Sequence, residues 1–283
     1  MQVVYRLWEE SWEDDAVVRD RASGVFTDPS KVHQIDHKGE YFELHGIHLC
    51  EPSPQRTPVL FQAGTSPKGQ AFAGEHAECV FIGGETPEIQ AKSVKALREQ
   101  AVANGRGAVD LKIFSVISVV VAPTDKEAEE KLADYIQYGS HEGALALLSG
   151  WTGFDFSTLD PDATVEQTKS DAIQSVLEAH GFSTVREWST NLVVGGVGHV
   201  LVGSPQTIAD QMQDWFEVSG VDGFNLARTV TPECYEDFVN LVVPELQQRG
   251  VYKRSYQEGS FREKLFGKSG RLSKPHPAAE YRR

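Results

Sequence analysis

A chain of 283 residues is long enough to bury a full hydrophobic core, as one large domain or two. With 40% hydrophobic and 24% charged residues it reads as an ordinary globular protein, and no apolar run is long enough to cross a membrane. A net charge of −14 argues against a nucleic-acid partner, and three cysteines without a pairing pattern (Cys50, Cys79, Cys234) together with an N-terminus that lacks a signal-peptide pattern predict a reducing, cytoplasmic location.

In chain order, the first predicted element is a helix from residue 3 to about residue 19, with Val4, Leu7, Trp8, Trp12 and Val17 on one face. Residues 32–35 and 41–44 flank Lys38-Gly39 and read as a β-hairpin. Residues 46–57 are loop, with two prolines. The most informative stretch follows, Pro58-Val59-Leu60-Phe61-Gln62-Ala63-Gly64-Thr65-Ser66-Pro67-Lys68-Gly69. A short apolar strand ends in Gly64, two hydroxyl residues follow, and Pro67 opens a helix to about residue 77. Such a corner collects free backbone N–H groups and the positive end of a helix dipole. Ala63, Gly64, Thr65 and Ser66 are therefore candidates for binding a phosphate. Ser66 acting only as an ordinary helix cap is the other reading of the same residues.

A second apolar strand, Glu78 to Gly84, ends in glycine too, and Thr86-Pro87-Glu88 starts a helix to about residue 104. Residues 111–121 are a third strand, dense in valine and isoleucine. Near-continuous apolar strands separated by helices predict a parallel sheet covered on both faces. Ligands bind at the C-terminal ends of such strands, so the corners at 64 and 83–84 are expected to share one face. Helices are predicted at 125–138, 141–148, 165–179 and 184–192, with a turn at Ser149-Gly150-Trp151-Thr152-Gly153. Residues 200–203 are short and extended, Ser204-Pro205 caps a helix to about residue 218, 223–227 is a strand, and 232–248 is the last long helix. About four sheet strands thus alternate with helices, interrupted by a helical insertion at about 125–200. From residue 251 onward nine Lys/Arg face three Asp/Glu, a basic tail (251–283) expected to wrap its own acidic body or a sister subunit.

Other motifs carry little. His33, His37, His45 and His48 have no spacing that brings them to one ion, since residues four apart on a strand are about 13 Å apart. No metal site is expected. Gly195-Gly196-Val197-Gly198 is not a dinucleotide fingerprint, so the chain is not expected to oxidise NADH by itself. Trp151 and Trp188 either line an apolar pocket or pack in the core. No nucleophile motif is present and no catalytic residue can be assigned, a pattern that fits a protein whose cofactor carries the chemistry.

Taken together, several stretches resemble the bacterial-luciferase-like flavin monooxygenases, and within them the group of the nitrilotriacetate monooxygenase large component (component A). They are Leu7-Trp8-Glu9-x-Ser11-Trp12, Asp28-Pro29-Ser30-Lys31, His37-x-Gly39-x-Tyr41-Phe42, Ser53-Pro54-Gln55-Arg56, the 61–69 corner, Ser149-Gly150-Trp151-Thr152-Gly153, Asp222-Gly223-Phe224, Leu265-Phe266-Gly267 and His276-Pro277. The resemblance implies an α/β fold, a TIM barrel. Residues 1–283 would form only the C-terminal part of it, about four of eight strands, because family members carry a further stretch before the point that matches Met1.

The resemblance also implies function. The chain would be an FMN-dependent monooxygenase in which reduced FMN (FMNH2), supplied by a separate flavin reductase, and dioxygen oxidise a small organic substrate. The flavin phosphate would sit on Gly64, Thr65 and Ser66. A catalytically inactive truncated paralogue, or a half-barrel acting as an interaction partner or phosphate-ligand binder, is the alternative. An open four-stranded sheet exposes two edges and an apolar face, which predicts association into a homo-oligomer.

Overall fold

The computed structural model describes residues 1–64, 66–84, 86–164, 184–195 and 198–282. They form two compact units, one of 1–80, 97–111 and 256–283, the other of 81–96 and 112–255.

In the first unit, helix α1 (Gln2–Glu9) buries Tyr5 against Leu272 and Ala278 of the tail, with Trp8, Leu60 and Tyr281 around them. The helix stops at Glu9, well before residue 19. Val17–Asp20 (β1) instead pairs antiparallel with Val25–Thr27 (β2). The β-branched Val17 and Val18 suit a strand. Trp12 left the helical stripe because tertiary partners hold it elsewhere. Its indole N–H donates to the His48 carbonyl at 2.9 Å, and its own carbonyl accepts from Arg56 Nη1 at 2.8 Å. The predicted hairpin is present as Ile35–Lys38 (β3) and Glu43–Gly46 (β4), with Ile35 opposite Gly46 and Lys38 opposite Glu43. The turn is Gly39 to Phe42, closed by Gly39 N–H on the Phe42 carbonyl at 3.0 Å, so both strands lie a few residues later than the sequence suggested.

Strand β5 (Phe61–Ala63) and helix α2 (Pro67–His76) follow, and β5 pairs with β6 (Cys79–Ile82), whose first half belongs to this unit. Helix α2 lies against the later turns of α3 (Pro87–Ala103), so close that a Cβ on Gly74 would come within 2.6 Å of Gln100 Cβ. The basic tail pairs with carboxylates of its own chain. Arg262 pairs with Glu78, Lys268 with Asp110, and Arg271 with Glu9 and Asp14.

In the second unit, β7 (Lys112–Val121) is the spine. It pairs parallel with β8 (His199–Gly203), Ile117 to His199 through Val121 to Gly203. It also pairs parallel with β9 (Gly223–Ala227), Phe114 to Gly223 through Ser118 to Ala227. Ile117 has a partner in each register, so β8 and β9 lie on opposite edges of β7. Three strands of the sheet, β7, β8 and β9, thus belong wholly to this unit. Residues 200–203, read as short and extended but left out of the count of about four, gain their place as β8 by pairing with the long β7. One face of β7 presents Ile117, Val119 and Val121 to Leu201, to Ile208, Ala209 and Met212 of the helix after β8, and to Phe238, Val242 and Leu246. Burying each such aliphatic side chain is worth about 1.5–3 kcal/mol.

Helices α4 (Asp125–Tyr138), α5 (His141–Thr152) and α6 (Val185–Gly195) lie between β7 and β8 in the chain. Helix α5 continues through Ser149 and Gly150 to Thr152, where a turn was expected. The chain leaves the helix at Gly153, whose φ of +73° suits the left-handed cap, so the stop signal is that glycine and not the one at 150. Trp188 is buried with Ala144, Leu148, Phe156 and Leu192, a core role. The helix expected at 165–179 lies outside the described residues. Helix α7 (Pro205–Ser219) follows β8, and the last long helix runs from Glu233 through a π turn at Phe238–Val242 to Gln248. Among the described residues, no helix is long and apolar enough to cross a membrane.

Candidate functional site

The corner after β5 takes its shape from three residue types. Gly64 has a φ of +112°, a region open to glycine and strained for others. Ser66 is the N-cap of α2, its Oγ accepting from Gly69 N–H at 3.2 Å. Pro67 stands at the first helical position, where its missing N–H leaves nothing unsatisfied. Ala63, Gly64, Ser66 and Lys68 are all exposed. The Ser66 hydroxyl spends an acceptor lone pair on the cap and keeps its own proton to donate. Among the described residues no carboxylate bonds to Ser66 or Lys68. Thr65 lies outside the described residues.

Sequence reasoning passed over Gln62. Its Nε2 donates to the Ala63 carbonyl at 2.7 Å, while its Oε1 is buried without a partner. A buried acceptor with no donor is costly unless something supplies one. The signal was weak, because a lone glutamine in a strand has no pattern.

The far end of α2 is tied down by polar groups of the same unit. Arg106 Nη1 donates to the Gly74 carbonyl at 2.9 Å and Nη2 to that of Ala77 at 2.6 Å. His276 Nε2–H donates to the His76 carbonyl at 2.9 Å, and His276 Nδ1 accepts from Ala278 N–H at 3.2 Å. Both ring nitrogens are thus satisfied by the neutral imidazole. Burial, reinforced by the Arg106 charge, pushes the pKa of His276 down to about 4. Burial likewise lowers His76 and raises Tyr5, whose hydroxyl meets His76 Nδ1 at 3.2 Å.

Two other strand-to-helix corners belong to the second unit. At Gly84 (φ +139°) the carbonyl accepts from Gln90 Nε2 at 3.1 Å, and Gln90 Oε1 accepts from Trp215 Nε1 at 3.0 Å. The two corners expected to share a face, at 64 and 84, are thus members of different units. At Gly203 (φ +154°) Ser204 caps α7 and Pro205 opens it. There the Asp125 carboxylate accepts from Ser204 N–H at 2.6 Å, and bonds from Ser204 and Thr207 hold its pKa below the usual carboxylate range. That helix N-terminus already has an anion of its own.

The histidines near the hairpin have separate partners. His33 meets Glu13 at 2.8 Å, His45 pairs with Asp36, and His48 Nδ1 donates to the Cys50 carbonyl at 2.9 Å. Among the described residues no cluster of histidine, cysteine and carboxylate side chains is shaped to hold a metal ion.

Comparison with known proteins extends along the whole chain. It is 48% identical over 289 residues to dimethyl-sulfide monooxygenase from Hyphomicrobium sulfonivorans, covering 100% of this chain and 60% of that one. The crystal structure of DmoA from the same organism superposes with a TM-score of 0.91, covering 100% of this chain and 61% of that one. Long-chain alkane monooxygenase from Geobacillus thermodenitrificans is 47% identical over 285 residues, with 100% and 61% covered. A riboflavin lyase solved with modified FMN and riboflavin is 38% identical, with a TM-score of 0.85, 100% of this chain and 64% of that one covered. The chain spans about three fifths of the length of these relatives. Residues 2–223 match the luciferase-like monooxygenase family, and the chain belongs to that family.

Proposed function

We propose that the corner at Ala63, Gly64, Thr65 and Ser66 holds the phosphate of reduced FMN, and that the chain acts as the oxygenase part of a two-component monooxygenase, of the kind of nitrilotriacetate monooxygenase component A. One observation carries this reading: the N-terminus of α2 has a free Ser66 hydroxyl proton and, among the described residues, no carboxylate bonded to it, whereas the matching N-terminus of α7 has Asp125. The residues fit the group. The helix end and Lys68 favour a dianion, Gly64 lets the backbone approach, and the buried Gln62 Oε1 lacks a donor that a polyhydroxy chain can supply. Membership of the family and the modified FMN held by the riboflavin lyase support the same group. When bound, reduced FMN supplies the activation of dioxygen. The chain's own part is to bind the phosphate, fix the cofactor's position and exclude water. Reduced flavin comes from a separate reductase, since no dinucleotide fingerprint is present. The substrate is a small organic molecule.

The test is flavin binding by fluorescence quenching, FMN against riboflavin. Charge-assisted hydrogen bonds contribute about 1.5–3 kcal/mol each. Ser66→Ala should therefore weaken FMN binding about tenfold and leave riboflavin binding unchanged. Equal affinity of the wild-type chain for FMN and riboflavin would overturn the reading. A helix N-terminus with a spare Ser66 hydroxyl answers a phosphate whatever the phosphate is attached to, which leaves a second reading, a phosphate-ligand binder without oxygenase activity. Phosphate-dependent FMN binding without substrate oxidation, in the presence of an added flavin reductase, would select it.

A further inference from the structure

We infer that Arg262, in the C-terminal tail, is a positioning residue for the Gly64–Ser66 corner. The inference rests on the phosphate role proposed for that corner. Arg262 is 3% exposed, and its guanidinium is shared out among groups that lead into β5. Nε donates to Glu78 Oε1 at 2.6 Å and Nη2 to Oε2 at 2.9 Å. Nη2 also donates to the carbonyls of Thr57 and Pro58, at 2.8 and 3.1 Å, and Nη1 to that of Gly270 at 2.6 Å. The Arg262 backbone N–H donates to Gln55 Oε1 at 2.9 Å. Glu78 completes the frame, since its Oε2 accepts from Leu60 N–H at 3.1 Å. The next residue, Phe61, lies stacked on Phe261, with ring planes 9° apart and centroids 6.2 Å apart.

One buried pair and one stacked ring thus fix the backbone from Thr57 to Phe61. Ala63 and Gly64 follow directly. Arg106 and His276 fix the other end, at the exit of α2. Between these two anchors the corner has little freedom. A lysine at position 262 keeps the charge and can reach Glu78, but it lacks the planar fork that spans carboxylate and carbonyls together. Loss of the fork frees the Thr57–Pro58 backbone and lets β5, with Gly64 and Ser66, shift.

The experiment compares Arg262→Lys with the wild-type chain in two ways. In amide NMR spectra without ligand, the resonances of Gly64 and Ser66 should move, while those of β8 and β9 stay in place. In flavin titrations the variant should lose about tenfold in FMN affinity and keep its riboflavin affinity. A purely structural role would lower the melting temperature and leave the FMN-to-riboflavin ratio untouched, and that result would overturn the inference. So would unmoved Gly64 and Ser66 amides. If Arg262→Lys does not fold, Phe261→Leu removes the ring stack and keeps the guanidinium. It should shift the same amides and cost about threefold in FMN affinity, and unchanged amides there also refute the role. A wild-type chain that fails to discriminate FMN from riboflavin while the variant still shifts the amides separates failure of the phosphate reading from failure of the positioning one.

Discussion

Two corners of this chain have closely similar sequences and different fates. Gly64-Thr65-Ser66-Pro67 and Gly203-Ser204-Pro205 each end a strand on a glycine with positive φ, cap a helix with serine and open it with proline. At Ser204 the positive helix end is met by Asp125, from the start of another helix of the same unit. At Ser66 no such carboxylate is present among the described residues. The surroundings differ as well. The second unit has an aliphatic core built on β7, while the first unit, which holds Gly64, buries ions: Arg262 with Glu78, and Arg106. A helix N-terminus by itself therefore says little. A ligand site is the helix end whose charge the fold leaves unanswered and whose geometry the fold nevertheless fixes.

The largest test of that contrast removes the ionic frame. Glu78→Leu leaves the Arg262 guanidinium buried without its carboxylate, and should cost about 3–5 kcal/mol in chemical denaturation. A loss within 1 kcal/mol, about what an exposed pair contributes, would mean that the pair does not hold the Gly64 corner.

A smaller effect separates the exits of the two helices. Helix α7 ends on Gly220, a left-handed cap, whereas the exit of α2 is held by His276. His276 stays neutral in the folded protein down to about pH 4, against an ordinary value of 6.5. Between these values the unfolded chain binds the extra proton and the folded one does not. Stability is thus full above pH 6.5, falls as the pH drops, and has lost this contribution below about 4, with an upper bound of about 3 kcal/mol. Melting curves between pH 7 and 4.5 check it: His276→Gln, which cannot titrate, should show a flatter dependence than the wild type. Identical slopes would remove His276 as the sensor.

The smallest effect distinguishes the glycines. Alanine in such backbone conformations costs about 1–3 kcal/mol. Gly203→Ala should reach the upper end, because its Cβ would come within 2.7 Å of Thr207 Cγ2. Gly64→Ala should stay near the lower end, since the nearest atom, Gln62 Nε2, is 3.7 Å away. Urea denaturation ranks the two, and the reverse order would contradict the open space assigned to the Gly64 corner.

Much of this was legible in local sequence. The strand-to-helix corners are written in runs of adjacent residues, glycine, serine and proline, whose preferences act within one turn. The valine-rich β7 and the basic tail could be read from composition alone. What escaped depends on distant partners. Trp12 fits a helical stripe, yet His48 and Arg56 hold it outside the helix. Residues 200–203 read as extended, but only their pairing with β7 makes them a strand of the sheet. Asp125 reaches Ser204 across 79 positions, and Arg262 reaches Glu78 across 184, so no window of sequence contains either pair. The strand-to-helix corner at Gly64 could be located from its own residues. What stiffens it could not.

The pairing of β7 has a consequence for how the chain is made. β7 emerges from the ribosome long before β8 and β9, because Leu226 of β9 pairs with Ile117, roughly a hundred residues earlier in the chain. Until β8 and β9 are synthesised, a ten-residue, mostly apolar strand waits with those edges unpaired. At about 5–20 residues per second that wait lasts on the order of five to twenty seconds. Nascent chains stalled before residue 199 should bind holdase chaperones, and chains released beyond residue 227 should not.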